Sequence, residues 1–209
     1  MLTWTLGITT ALVGIWAGYT KLYEGGLGQP EYTVISSQDG VEFRRYAPFV
    51  IASTPLAAEG DSGLRGGFRV LAGYIFGDNQ QDTSLAMTAP VLQQASRGES
   101  LPMTAPVLQS PEGMNMAFVM PADQTVESLP TPNSSQVHLS TVEWGEVAAI
   151  RFSGPGKQAR FRSAEADLRA LLEANQRTAR APALYAQYNS PSAFPPLRRN
   201  EVIIQLNPE

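Results

Sequence analysis

Arg65 and Arg69 fall on one helical face with Ala72, Gly73 and Phe76, because residues three, four and seven apart recur on one side of an α-helix. Such a stripe is either the solvated side of a helix or a surface that offers two cations beside small and aromatic groups. A second chemically suggestive feature is the heptapeptide MTAPVLQ, which occurs twice, at residues 87–93 and 103–109. In an extended chain Met87, Ala89 and Val91 point one way and Thr88 and Pro90 the other. The pair reads as a β-hairpin with one apolar face, or as two methionines reaching a pocket for a flat apolar ligand, since Met adapts to irregular surfaces. Each copy carries a proline, which donates nothing to a ladder, so an edge position or a bulge is expected.

Other reactive groups are sparse. His138 is the sole histidine, and a single histidine in an alternating strand is more often a surface or packing residue than a ligand. Around it no Ser/His/Asp set assembles, and the chain has no HExxH, phosphate loop or GxGxxG. Arg199, Asn200 and Glu201 form the most polar cluster near a strand start, which reads as a hydrogen-bonded network pinning the last strand. With no cysteine, disulfides, thiolate catalysis, zinc–cysteine sites, iron–sulfur clusters and lipoprotein-type acylation are excluded. The net charge of −4 argues against nucleic acid as the main partner, because phosphate binding needs a basic field.

The elements that position these residues follow from patterning. Sixteen prolines and eighteen glycines spread over 209 residues suggest many short strands rather than a helical bundle. Residues 2–20 contain no charged side chain, and nineteen helical residues nearly cross a hydrocarbon core of about 30 Å. Trp4, Trp16 and Tyr19 lie towards its ends, where aromatic rings prefer the interface. The n-region lacks basic residues and no small-residue cleavage site follows, so an uncleaved anchor over residues 1–22 is expected in preference to a signal peptide; its threonines and glycines make it only mildly hydrophobic, which leaves a buried helix as the alternative. Lys21 and Glu24 nearly cancel; an extracytoplasmic body is slightly favoured. Residues 23–30, with three glycines and a proline, read as a flexible tether.

The body over residues 31–209 is expected to be one domain. Strands are expected at 32–36, 41–46 and 49–54, followed by a helix over 64–76 that ends at Gly77. Its core face is Phe68, Leu71, Ala72 and Ile75. Beyond the MTAPVLQ hairpin come strands at 114–120, 137–143 and 146–152. A second helix over 163–177 has Ser163 as N-cap and Leu168, Leu171 and Leu172 as its apolar stripe. A proline-rich loop over 185–196 and a strand over 199–206 close the chain. The order strand, turn, strand, loop, helix thus occurs twice. It implies a duplicated α+β unit whose sheets join into one curved antiparallel sheet or distorted barrel with two helices outside.

In this order the segments VEFRRYAPFVIAST, GFRVLAGYIFGDN, MTAPV, MAFVMP, AAIRFSG and YNSPSAFPPLRRNEV resemble the SOUL/haem-binding protein family, over residues 41–202. A tandem MTAPV resembles bacterial members more than animal ones. The resemblance implies a distorted antiparallel β-barrel built from a repeated βαββ unit, and non-covalent binding of haem or a related tetrapyrrole as carrier, buffer or sensor. It places the porphyrin in an apolar groove beside the first helix. On this chain Arg65 and Arg69 would then meet the propionates, Ala72, Gly73 and Phe76 would form a flat floor, and Met87 would close one edge. Met103 would pack in the core. Haem would be a ligand rather than a catalytic cofactor, with no enzymatic role. Iron is where the chain departs: some animal members have been assigned a histidine near the first helix, whereas the sole histidine here is His138, a weak candidate. Met and Tyr are available as ligands without distinctive spacing, and otherwise haem binds without a strong protein ligand or the ligand is not haem. Rival readings are haem turnover at an open coordination site, and a membrane-tethered module for another apolar ligand or a protein partner.

Overall fold

The computed structural model describes residues 16–22, 26–58, 60–94, 114–190 and 192–208. Among these residues nine strands form one antiparallel sheet: β1 (Tyr32–Gln38), β2 (Val41–Tyr46), β3 (Phe49–Pro55), β4 (Val91–Gln94), β5 (Asn115–Val119), β6 (His138–Val142), β7 (Glu146–Ser153), β8 (Leu184–Gln187) and β9 (Arg199–Gln205). Their spatial order is β1-β2-β7-β9-β8-β4-β5-β3-β6. Helix α1 (Gly60–Ile75) lies between β3 and β4, and α2 (Gln158–Ala174) between β7 and β8.

The sheet is curled into a half-barrel, and the connectivity requires it. β2 and β3 are six places apart in the sheet, roughly 29 Å if it were flat, since strands lie about 4.8 Å apart. Only Ala47 and Pro48 join them, a link that spans at most about 11 Å. Curling brings Tyr46 and Phe49 edge-on to Trp144, at ring-centroid distances of 4.9 and 4.7 Å. Among the described residues the barrel stays open, with β1 and β6 as edges. The α+β class and curved antiparallel sheet anticipated from patterning are present.

Alternation along the strands separates two faces. On the outer face Ala148, Val202 and Ile204 pack under Phe161, Leu168 and Leu172 of α2. Val50, Ala52, Met116 and Phe118 likewise pack under Leu71, Tyr74 and Ile75 of α1. The inner face holds Val147, Ala149, Ala117, Val119 and Ile203 with Trp144. In both β3-α1-β4-β5 and β7-α2-β8-β9, the strand before the helix pairs with the second strand after it.

Several local expectations shift. The first MTAPVLQ copy contributes only Val91–Gln94 as strand, in the interior of the sheet, with β5 on one side and β8 on the other. Pro90 just precedes the ladder, so its missing N–H costs no strand pairing there. The second copy, with Met103, lies outside the described residues. α2 begins at Gln158, five residues before Ser163, and its N-cap is Lys157, with no side-chain capping bond. Burial decides this start: Phe161 stacks on Tyr185 at 4.7 Å and meets Phe152 at 5.0 Å. Residues 185–187, read from sequence as the start of a loop, belong to β8 because Ala186 is fully buried between β4 and β9.

The N-terminal part also differs from expectation. Residues 16–22 are helical and dock on the body. The Trp16 Nε1–H donates to Ser192 O at 2.8 Å, and the Phe194 N–H donates to Thr20 Oγ1 at 2.9 Å. Residues 27–30 are not a free tether. Leu27 packs into the inner cluster, the Ala89 N–H donates to Gly28 O at 2.9 Å, and Gln29 accepts from Arg199 at 3.0 Å. The uncharged residues 2–15 lie outside the described residues, and among the described ones no helix is long and apolar enough to cross a membrane.

Candidate functional site

Gly63 makes room for the loop before α1, since a Cβ there would sit 1.8 Å from the Ala58 carbonyl oxygen. Gly67 lets α1 lie close to the sheet: a Cβ there would sit 2.4 Å from Leu56 Cδ2 and 3.6 Å from Met116 Cβ. This close approach buries Leu71, Tyr74 and Ile75, and Tyr74 Oη donates to Pro130 O at 2.9 Å. The opposite side follows from the helical period. Arg65 and Arg69 are exposed, Ala72 and Gly73 are half-buried, and Phe76 is 64% exposed. Phe68, expected in the core, straddles the boundary: it is 38% exposed while its ring meets Phe118 edge-on at 5.3 Å. The result is an apolar strip of Phe68, Ala72 and Phe76 with two guanidinium groups along it.

Behind this face Asn79, which is buried, organises the return of the chain. Its side-chain nitrogen donates to Tyr74 O at 3.1 Å and Thr83 O at 2.7 Å. Its oxygen accepts from the Gln81 and Thr83 N–H groups, both at 3.2 Å. The loop so formed lets the Leu85 N–H reach Ile75 O at 2.7 Å, in the last turn of α1. Met87 follows two residues later, 37% exposed, and the hydroxyl of Thr88 then donates to Val119 O. Asn79→Ala should lower stability by about 1–2 kcal/mol, since it strips partners from buried backbone groups; denaturant unfolding measures the loss.

His138 is not brought to this face. It opens the edge strand β6, and its neighbour Leu139 packs in the cluster beneath α1. Alternation therefore turns His138 to the other side of the sheet. Among the described residues no group of three or more His, Cys, Asp or Glu is placed to hold a metal ion.

The inner face contains a charge network that patterning revealed only in part. The Arg44 guanidinium grips Glu201 with two bonds, of 2.7 and 3.1 Å, and also donates to Glu42 at 2.8 Å. Arg199 donates twice to Glu201, at 2.9 and 2.8 Å, and Tyr188 Oη donates at 2.8 Å. Arg44 lies over the Tyr32 ring at 4.5 Å and Arg199 over Tyr188 at 3.8 Å. Burial alone would raise the Glu201 carboxyl, but the two arginines override it and hold it below the usual carboxylate range. Burial pushes the Tyr188 phenol well above its ordinary value, so it stays a donor. A carboxylate so fully engaged has no lone pair left for a substrate. The network joins β2 and β9 to Gln29 and is structural. Arg199 and Glu201 were legible as such a network; Asn200, grouped with them from sequence, instead donates to Gly154 O at 2.9 Å, and the contribution of Arg44 was not legible.

A curled α+β half-barrel with an uncovered, partly apolar helix face is the class of protein that these observations define. The model of the SOUL heme-binding protein family matches residues 27–205, and the chain belongs to that family. No curated protein matches it. Among solved structures it is similar to an uncharacterized conserved protein from Listeria innocua, at 12% identity over 82% of this chain and 94% of that one, with a TM-score of 0.54. It is also similar to a structure described as a hydrolase from Listeria innocua, at 12% identity over 83% and 94% with a TM-score of 0.51. The EcmrR C-terminal domain aligns at 10% identity over 85% and 99% with a TM-score of 0.59. At these identities the likeness is one of fold alone.

Proposed function

We propose that this protein binds haem or a related tetrapyrrole, without covalent chemistry, on the exposed face of α1, and that its uncharged N-terminal stretch, residues 2–20, fixes it to a membrane, residues 2–15 entering the lipid and residues 16–20 lying docked on the body at its surface. Family membership supports the ligand class. One observation carries the location: Phe68, Ala72 and Phe76 leave an apolar strip open to solvent, and Arg65 and Arg69 stand beside it. A porphyrin offers a complementary surface, a flat apolar ring with two carboxylates at one edge. Guanidinium groups suit those carboxylates, and apolar area covered by the ring contributes roughly 25 cal/mol per Å². No histidine or cysteine belongs to this face, so retention rests on burial and propionate contacts, as exchange by a carrier or buffer requires. We also take the recurring strand–helix–strand–strand order as the trace of a duplicated unit.

Titrating the full chain with haem, iron-free porphyrin and chlorophyll-like pigments tests the ligand class; failure of every tetrapyrrole overturns it. Incubation with ferric haem, reductant and oxygen separates binding from turnover. A stable Soret band is expected, and its steady loss with tetrapyrrole products would make the protein an enzyme.

A further inference from the structure

The docked position of helix 16–22 has a consequence for how the body sits on a membrane. Trp16 is held at two points, its Nε1–H on Ser192 O and its ring edge-on to Phe194 at 5.0 Å. Thr20 is 2% exposed, and its hydroxyl oxygen receives the Phe194 N–H. Beyond the helix, Leu27 and Gln29 are fixed to the inner face. The helix therefore has little freedom to swing away from the 192–197 loop. Tyr19 and Leu22 are 52% and 83% exposed, and Trp16, although docked, keeps 42% of its surface open. Leu197, in the turn Pro195–Leu197 that follows Phe194, is exposed as well.

Exposed aromatic and aliphatic groups in one region mark an interaction surface, and the chain upstream says which kind. Fourteen residues without a charged side chain, 2–15, run directly into Trp16. Trp and Tyr prefer the membrane–water boundary, and Lys21 beside them can keep its ammonium group in water while its stem lies along apolar surface.

We propose that the exposed side of helix 16–22 and the Pro195–Leu197 turn form one lipid-contacting surface, which seats the body directly against the bilayer instead of suspending it on a linker. This rests on the reading of the N-terminal stretch as a membrane anchor, with residues 2–15 as the part that enters the lipid. Because the chain lacks cysteine, single nitroxide labels at Leu197→Cys, and at Val34→Cys on edge strand β1 as a reference, can be placed in the full chain. The chain is reconstituted in phosphatidylcholine–phosphatidylglycerol vesicles. Leu197→Cys is expected to be more accessible to oxygen than to a water-soluble nickel complex, and Val34→Cys the reverse. Adding Trp16→Ala and Thr20→Ala should return the Leu197 label to water while the chain still floats with vesicles. A floating chain whose Leu197 label stays aqueous overturns this surface and leaves the anchor standing. A label that stays in lipid after the double substitution overturns the docking. A chain that does not float overturns both the surface and the anchor.

Discussion

Replacing Glu201 by glutamine is expected to destabilise the fold by about 3–5 kcal/mol, the loss typical when one member of a buried ion pair is removed. The side chain is wholly buried, and it neutralises Arg44, which is 2% exposed, together with Arg199. Glutamine keeps the shape but not the charge, so Arg199 loses its carboxylate partner and the buried Arg44 is left with only the more exposed Glu42. Arg44→Met combined with Glu201→Gln should cost less than the sum of the single changes, because the double variant strands less charge. Additive losses in denaturant unfolding would show that the pair is not coupled.

The same network sets a pH dependence. The Glu201 carboxyl titrates lower in the folded protein than in the unfolded chain, where glutamate has a pKa of about 4.3. The folded state thus binds this proton less readily, and the stability due to Glu201 is complete above that unfolded value. It is lost progressively as pH falls through the depressed folded value. The acid limb of unfolding free energy should be shallower in Glu201→Gln than in the parent protein. Parallel limbs would remove Glu201 from the acid response.

Arg65→Ala with Arg69→Ala should weaken haem binding by about 1–3 kcal/mol, or roughly 5–150-fold. Both side chains are exposed, so stability should change little, which separates a ligand contact from a folding defect. Added salt should weaken binding to the parent protein more than to the double variant, since exposed ion pairs are screened. Lysine at both positions restores charge but not the two-pronged geometry, and partial recovery is expected. An unchanged haem titration of the alanine variant would remove both arginines from the site.

What the chain revealed before folding was the part governed by local periodicity. Alternation marks β2 as Val41–Tyr46, a span that the structure reproduces. The 3.6-residue period separates Leu71 and Ile75 from Arg65 and Arg69 on α1, and burial follows that division. Phe68 fell on the wrong side because it sits at the margin of the face, where period alone does not decide. The start of α2 was missed for a related reason: Lys157 offers no side-chain cap, and contacts of Phe161 with Phe152 and Tyr185, distant in sequence, extend the helix.

Tertiary structure alone decided the rest. The first MTAPVLQ looked like an edge hairpin, yet β5 and β8 occupy both sides of its strand, and strand partners leave no mark in a short alternating segment. His138 and the α1 face are separated by the pleat of β6, which follows only once β6 is paired to β3. Arg44 and Glu201 are 157 residues apart, and nothing near either residue names the other. They meet because β7 pairs with both β2 and β9, so two strands that are distant in the chain present a cation and an anion to one enclosed face, where each is tolerated only because of the other.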